Sequence, residues 1–306
     1  MIKLLELYLF LVGLVLLGYI LGRNLPATVP TQLGRFLYWV GVPISIVVFL
    51  RKADLSGPIW IAPAIAYLAI LLGAFLAWLG IKGQAQLTNT TPQKSTQGSF
   101  ILAAMVGNTG YIGYPVTLSI VGTQYFAWAL FYDLLGSTIG AYGLGVALAA
   151  RFGNTAQSYK QVLQAILINP ALWSFGFGFF LRQVRIPQPV DFLLDKLAWF
   201  SVTLSLVLIG MRLSKLNSWH SFPRATISVG IKMLVVPLLI STVIPLFGLT
   251  GAVAQVILLQ MAMPPAFATL VLAETFNLDR DLAVTSLAMG TVLLLFTLPF
   301  WIVVSH

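Results

Sequence analysis

Residues 107–115 read Gly-Asn-Thr-Gly-Tyr-Ile-Gly-Tyr-Pro and lie at the centre of an apolar run that extends from residue 100 to residue 122. The run is long enough to cross a bilayer as a helix, but its central glycines, asparagine and proline disfavour a continuous one. Within a bilayer, backbone groups released by a break must be satisfied by protein or by a water-filled cavity. The segment therefore predicts either a kinked, well-packed helix or a discontinuous helix at the bilayer midplane.

A discontinuous helix would place polar groups beside the break. Pro115 suits the first turn of the second half-helix, because its missing N–H would have no partner there. The positive end of that half-helix would face the break and favour an anion, and Asn108 can both donate and accept hydrogen bonds. The candidate substrate-binding residues of this span are Asn108, Thr109, Gly110, Tyr111, Tyr114 and Pro115.

A second break is predicted near the centre of the apolar run 251–273. Its sequence is Met263-Pro264-Pro265, and these three residues complete the predicted substrate site. Two interrupted helices in corresponding places of two halves are the best sequence indicator of the binding site of a secondary transporter.

The composition sets the protein class. Of the 306 residues, 59% are hydrophobic and 8% are charged, and the mean hydropathy is +0.95. An average soluble domain carries roughly 25% charged residues, so this chain cannot cover a globular surface with charge. We expect an all-α polytopic membrane protein of ten transmembrane helices, at residues 5–22, 34–50, 59–80, 100–122, 125–150, 162–181, 193–211, 226–248, 251–273 and 282–304.

The same composition argues against catalysis and against nucleic acid. The chain has no cysteine and only two histidines, so thiol chemistry and multi-histidine metal sites are excluded. It contains neither a GxxxxGK[ST] loop nor a GxSxG elbow. The net charge of +9 comes from Lys and Arg scattered between apolar runs, which is typical of membrane loops and not of a basic face. We expect no enzymatic activity, no cofactor, no metal and no nucleic-acid partner.

The two halves of the chain resemble each other. Gly18-Tyr-Ile-Leu in the first half parallels Gly178-Phe-Phe-Leu in the second. With an offset of 161 the matched pairs include Pro26 and Pro187, Arg35 and Lys196, Tyr38 and Trp199, and Arg51 and Arg212. Five spans per half is an odd number, so the second half must insert with inverted topology. The predicted organisation is a first five-helix repeat at 1–151, a cytoplasmic connection at 152–161 and a second, inverted repeat at 162–306.

Loop charges predict the orientation. Ten of the 17 Lys and Arg residues, Arg212 among them, fall in loops on the side of the first connection, and six fall on the opposite side. Cytoplasmic loops carry the excess of positive charge. We therefore expect a multi-pass protein of the plasma (inner) membrane with a cytoplasmic mid-chain connection and both termini non-cytoplasmic.

Two charged residues fall inside the predicted spans. Asp133 lies about eight residues into the fifth span, roughly 12 Å deep. Intramembrane carboxylates are costly and usually functional, so Asp133 is a candidate for proton coupling or substrate gating. The alternative is a structural hydrogen bond to a neighbouring Tyr or Ser. Lys232 lies near the cytoplasmic end of the eighth span, from which its side chain can extend to the membrane surface.

The motif at 107–115 resembles the signature of the auxin efflux carrier (PIN-like) family, within the superfamily that also includes bile acid transporters. Asn169-Pro170, Ile209-Gly210 and Lys232 with Pro237 also fit the family pattern. The large cytoplasmic loop of plant members is absent, as in short prokaryotic members, and only residues 152–161 stand in its place.

The resemblance implies a fold and a mechanism. Helices 4 and 9 would cross at their prolines inside a transport domain of helices 3–5 and 8–10, packed on a scaffold of helices 1, 2, 6 and 7. Tyr38 would belong to the scaffold, away from the site. The resemblance also implies a homodimer through the scaffold helices and elevator-like alternating access.

The implied substrates are organic anions, auxin-like in plants and often small carboxylates in bacteria. A membrane ligand sensor without flux has the same sequence features, so it remains an alternative. An ion channel is favoured less, because no charged or polar ring recurs along several spans.

Overall fold

The computed structural model describes residues 2–26, 28–153, 167–168, 170–214 and 221–304. Most of the predicted connection 152–161, the start of the predicted sixth span and Asn169 lie outside these residues. Within them the regular structure is helical, apart from one isolated β-bridge.

The described residues of the first half form helices α1 to α5, and the fourth is divided in two. α1 is Ile2–Asn24, α2 is Thr28–Lys52 and α3 is Ile61–Thr88. α4a is Lys94–Met105, and α4b is the π-helical turn Thr109–Gly113 followed by Tyr114–Ile120. α5 is Phe126–Phe152.

The described residues of the second half form helices α6 to α10, and the ninth is divided in two. α6 is Pro170–Leu181, α7 is Gln188–Leu213 and α8 is Phe222–Ser241, followed by the short 3-10 helix Ile244–Phe247. α9a is Gly251–Met261, α9b is Phe267–Thr275 and α10 is Arg280–Val304.

Six of the described helices, α2, α3, α5, α7, α8 and α10, are long and apolar enough to cross a membrane, and shorter apolar helices occur in α1, α6 and α9a. The predicted fourth and ninth spans are each divided into two helices, so neither reaches spanning length as one continuous helix. The all-helical membrane class predicted from composition agrees with this architecture.

The helices pack in two groups. α1, α2, α6 and α7 form one set of contacts, in which α1 packs on α7, α6 packs on α2 and α2 packs on α7. The second set contains α3, α4a, α5, α8, α9b and α10. Each group draws helices from both halves of the chain.

Glycines bring the helices of the first group together at corresponding positions. On α1, a Cβ added to Gly18 would lie 2.0 Å from the carbonyl oxygen of Val207 in α7. On α6, a Cβ added to Gly178 would lie 3.0 Å from the Cα of Val47 in α2. Gly178 lies 160 positions after Gly18, and Val47 lies one residue from Ile46, the match of Val207 with the offset of 161. α1 and α6 therefore make equivalent contacts with α7 and α2.

We expect Gly18→Ala to lower the thermal unfolding temperature of the purified protein, because the added methyl group would overlap a backbone oxygen that cannot move independently. Overpacking of this kind costs typically about 1–3 kcal/mol. Gly13→Ala on the same helix is the matched control, since nothing lies within 4 Å of a Cβ at Gly13. Equal unfolding temperatures for the two variants would contradict the close approach of α1 and α7.

Ion pairs join the helices of the first group at one end of the molecule. Arg51 Nη1 donates to Asp191 Oδ1 at 2.9 Å, and Lys52 contacts both Asp191 and Asp195. Nearby, the exposed carboxylate of Asp54 accepts hydrogen bonds from the backbone N–H and the hydroxyl of Ser56, which hold the pKa of Asp54 below its usual value. Ion pairs thus link α2 to α7 at this end.

Candidate functional site

The two breaks lie against each other and are joined by backbone hydrogen bonds. The N–H of Asn108 donates to the Pro264 carbonyl oxygen at 2.7 Å, and the N–H of Ala266 donates to the Val106 carbonyl oxygen at 3.0 Å. Together they form an antiparallel β-bridge between Gly107 and Pro265. Each unwound segment thus supplies partners for the other, as interrupted helices within a membrane require.

The break in the fourth span lies earlier than the proline suggested. α4a ends at Met105 and the helical backbone resumes at Thr109, with Asn108 at the N-cap position. Pro115 lies in the first turn of the α-helical part of α4b, after the π-helical turn. The π-helical turn forms because the Asn108 carbonyl accepts hydrogen bonds from Gly113 N–H at 3.1 Å and, more weakly, from Ile112 at 3.3 Å.

A cavity of about 340 Å³ lies beside the β-bridge. Its wall from the second helix group comes from the break at 106–111 with Tyr114, from α5 and from the start of α9b. Its opposite wall comes from the first group, through α2, α6 and α7. The residues of that opposite wall are Tyr38, Val42, Ala171 and Arg212.

The cavity receives the N-terminal ends of two helices. Thr109 begins α4b and Phe267 begins α9b, and both residues line the cavity. The first N–H groups of a helix have no intrahelical partner and carry a partial positive charge. Two such ends at one cavity favour an anionic ligand.

Asp133 lies on the wall of this cavity and is 7% exposed. Its carboxylate accepts a hydrogen bond from the Tyr114 hydroxyl at 2.6 Å, and its other oxygen accepts one from Thr109 Oγ1. Gly110 allows this approach, because a Cβ there would lie 3.2 Å from Asp133 Oδ2. Asp133 therefore joins α5 to the half-helix that begins at the break.

Six of the residues predicted from sequence line the same cavity, and four do not. The lining residues are Asn108, Thr109, Gly110, Tyr111, Tyr114 and Asp133. Pro115, Met263, Pro264 and Pro265 lie outside the lining. Pro264 and Pro265 instead pack on Gly290 of α10, where an added Cβ would lie 2.9 Å and 2.6 Å from them. The side-chain amide nitrogen of Asn108 is buried and has no hydrogen-bond partner among the described residues.

Lys232 does not reach the membrane surface, contrary to the sequence-based expectation. It is 3% exposed, and its ammonium group donates to the Met261 carbonyl oxygen at 2.6 Å. Met261 is the last residue of α9a, and the C-terminal end of a helix attracts a cation. A Cβ at Gly107 would lie 3.1 Å from Lys232 Nζ, so this glycine makes room for the ammonium group at the bridge.

The sequence reasoning missed Arg212 and misplaced Tyr38. Arg212 was counted among the loop charges and Tyr38 was assigned to a scaffold away from the site, but both line the cavity. The guanidinium carbon of Arg212 lies 4.1 Å from the ring centroid of Phe267, within cation–π range. One sequence feature could have singled out Arg212: its match to Arg51 in the repeat, which placed it at the end of a span.

Local π-helical turns accompany the site. They occur at Leu37–Gly41, Thr109–Gly113 and Phe131–Thr138, which contain Tyr38, the motif and Asp133 respectively. π-helical turns inside α-helices are rare and are frequent at functional sites. No residue pattern predicts them here.

Comparisons with known proteins place the whole chain among transporters. The sequence model of a family described as "Membrane transport protein" matches residues 3–302. An uncharacterized transporter of Methanothermobacter thermautotrophicus is 31% identical over 296 residues, covering 95% of this chain and 95% of that protein. An uncharacterized transporter of Methanocaldococcus jannaschii is 28% identical over 279 residues, covering 88% of this chain and 87% of that protein.

Proposed function

The chain belongs to the membrane transport protein family, and on this premise we propose that it is a secondary transporter that moves a small organic anion, such as a carboxylate, across the membrane by alternating access. Its membership agrees with the resemblance of residues 107–115 to auxin efflux carriers, and the family is one of transporters and not of enzymes.

One observation carries the proposal: the cavity lies where two half-helices begin. The first residues of α4b and α9b line it, and the first N–H groups of a helix have no intrahelical partner. A negatively charged group held by backbone dipoles needs few charged side chains, and the chain has few. Asn108, with its side-chain amide nitrogen buried and no partner among the described residues, is the group we assign to hydrogen-bond the substrate.

The inverted five-plus-five repeat is part of the proposal. Its support is the pair of equivalent contacts, Gly18 with Val207 and Gly178 with Val47. A two-fold relation between halves exchanges α1 with α6 and α2 with α7, as those contacts require. The matched breaks of the fourth and ninth spans support the same two-fold relation in the second helix group.

We assign α1, α2, α6 and α7 to a scaffold and the remaining helices to a mobile transport domain. The cavity lies between the two groups, with Tyr38 and Arg212 on one side and the breaks on the other. A movement of one group past the other would carry the breaks and their ligand while the opposite wall stays in place. Elevator-like exchange needs a site at this kind of boundary.

Counterflow in proteoliposomes tests the function. Purified protein is reconstituted into liposomes that are loaded with unlabelled benzoate, butyrate or succinate, and entry of the same labelled carboxylate is followed. We expect counterflow of at least one of the three that exceeds the rate in protein-free liposomes. Saturable binding without counterflow would instead establish a ligand sensor, and current without saturation would indicate a channel.

We also propose that both termini are non-cytoplasmic. This orientation puts Thr91 on the cytoplasmic side and Leu246 on the outside, and both residues are exposed. Because the chain has no cysteine, single variants Thr91→Cys and Leu246→Cys can be labelled with an impermeant thiol reagent in intact cells. We expect labelling of Leu246→Cys only; the reverse pattern would invert the orientation.

A further inference from the structure

Arg212 and Arg51 occupy equivalent positions in the two halves, but their surroundings differ. Arg51 donates to the carboxylate of Asp191 and to the carbonyl oxygens of Leu181 and Val184. Arg212 has no carboxylate within 4.0 Å among the described residues. The charge of Arg51 is therefore neutralised by a protein carboxylate, whereas no carboxylate of the described residues neutralises the charge of Arg212.

The difference follows from the residues that the two halves place nearby. The acids at the Arg51 end are Asp191 and Asp195, which α7 supplies. With the same offset of 161, the corresponding positions of α2 are Pro30 and Gly34. Of the two acids, Asp191 pairs with Arg51 and Asp195 pairs with Lys52. The position that matches the partner of Arg51 is therefore Pro30, and the first half lacks the carboxylate that would neutralise Arg212.

Gly34 packs directly against the Arg212 guanidinium. A Cβ added to Gly34 would lie 2.5 Å from Arg212 Nη2, and its other near neighbours are 3.6 Å away. The corresponding residue of the other half, Asp195, carries a carboxylate, which contacts Lys52. The first half thus brings an uncharged backbone, and no acid, to the Arg212 guanidinium.

The other charged residue of the cavity does not replace that partner. Asp133 lies on the cavity wall but is more than 4.0 Å from Arg212, and its oxygens already accept hydrogen bonds from Thr109 and Tyr114. Phe267 supports the face of the guanidinium, which leaves the N–H groups at its edge available for a carboxylate. A planar guanidinium binds a carboxylate through two parallel hydrogen bonds.

We propose that Arg212, which lines the cavity and lacks the acid partner that Arg51 has, is the residue that recognises the negative charge of the substrate. The inference rests on the proposed function and adds a specificity-determining residue to it. Arg212 belongs to the first helix group, whereas the half-helix ends belong to the second. The anion is thus held between the two groups, and movement of the transport domain would separate it from Arg212.

Arg212→Gln tests the charge recognition. The half-saturation concentration for counterflow is measured for whichever of benzoate, butyrate and succinate the wild type transports, and the matching amide is used as competitor. We expect Arg212→Gln to weaken the carboxylate by about 10- to 150-fold, the range for hydrogen bonds to charged groups. The potency of the amide competitor should change by less than about threefold, within the context-dependence of a neutral contact.

Gly34→Asp places an acid beside the guanidinium and leaves the Arg212 side chain itself unchanged. Its carboxylate should pair with the guanidinium and compete with the substrate, so the affinity for the carboxylate should fall as in Arg212→Gln. Gly34→Asn is the size-matched neutral control. Both side chains must displace the guanidinium, because a Cβ at this position lies 2.5 Å from Arg212 Nη2, so the effect of the charge is the larger loss of affinity in Gly34→Asp than in Gly34→Asn.

The possible outcomes distinguish a failure of this inference from a failure of the proposed function. Normal counterflow with unchanged carboxylate affinity in Arg212→Gln, or equal effects of Gly34→Asp and Gly34→Asn, would overturn the role of Arg212 and leave the transporter intact. Should Arg212→Gln fail to fold, the Gly34 pair still decides the question. Absence of counterflow of all three carboxylates in the wild type would overturn the proposed function and the inference with it.

Discussion

Asp133→Asn is expected to abolish substrate accumulation driven by a proton gradient while leaving substrate exchange measurable. Asp133 is the buried carboxylate of the cavity, and a buried carboxylate that gains and loses a proton can couple proton movement to a conformational change. An amide of the same shape cannot make that exchange, so the coupled step is lost entirely while the substrate site stays in place.

The fold should tolerate this substitution. Asp133 accepts hydrogen bonds from the hydroxyls of Thr109 and Tyr114. An asparagine keeps one acceptor oxygen, and its amide nitrogen can donate to the other hydroxyl, because a hydroxyl both donates and accepts. The connection between α5 and α4b is therefore retained, and thermal unfolding of the purified variant should confirm it.

Uptake in proteoliposomes with and without an imposed pH gradient measures the effect. Asp281→Asn, the same change at an exposed carboxylate in the first turn of α10, is the matched control and should behave as wild type. Wild-type uptake that ignores the pH gradient would end the coupling role and leave Asp133 as a structural contact between Thr109 and Tyr114.

Asn108→Ala is expected to weaken substrate binding by about 10- to 150-fold, the effect of removing one hydrogen bond to a charged group. Asn108 lines the cavity, and its side-chain amide nitrogen is buried with no partner among the described residues. The bridge to Pro264 uses the backbone N–H of Asn108, which alanine retains. The loss should therefore appear in affinity and not in unfolding temperature.

Pro115→Ala should give the opposite result. Pro115 is buried in the first turn of the α-helical part of α4b and does not line the cavity. Its replacement should lower the transport rate while the affinity is retained, because the proline shapes the half-helix and does not contact the substrate. Thr203→Ala is the control, since that hydroxyl is exposed and bonds only to its own helix.

Binding and counterflow on purified variants distinguish the two roles. Tyr38 was expected from the sequence to lie away from the site, but it lines the cavity. A Tyr38 variant therefore cannot serve as a control for substitutions distant from the site. Wild-type affinity and wild-type counterflow in both Asn108→Ala and Pro115→Ala would refute the site at the breaks and return residues 107–115 to a role in helix packing.

Local features of the chain were predictable from the sequence alone. The membrane class follows from the shortage of charge, because a soluble surface needs more of it. The presence of a break in both spans follows from glycine and proline, which act on the backbone within a few residues, although the break in the fourth span lies earlier than Pro115 suggested. The family follows from the motif at 107–115, and the matches over 3–302 confirm it.

The tertiary structure decided which side chains meet. A helix presents residues on every side, so the neighbours of Arg212, Lys232 and Tyr38 depend on how distant helices pack. Close packing at Gly18 and Gly178, for example, joins residues more than 100 positions apart. The packing of distant helices brings Arg212 to the cavity, buries Lys232 against the end of α9a, and places Pro264 and Pro265 against Gly290 of α10.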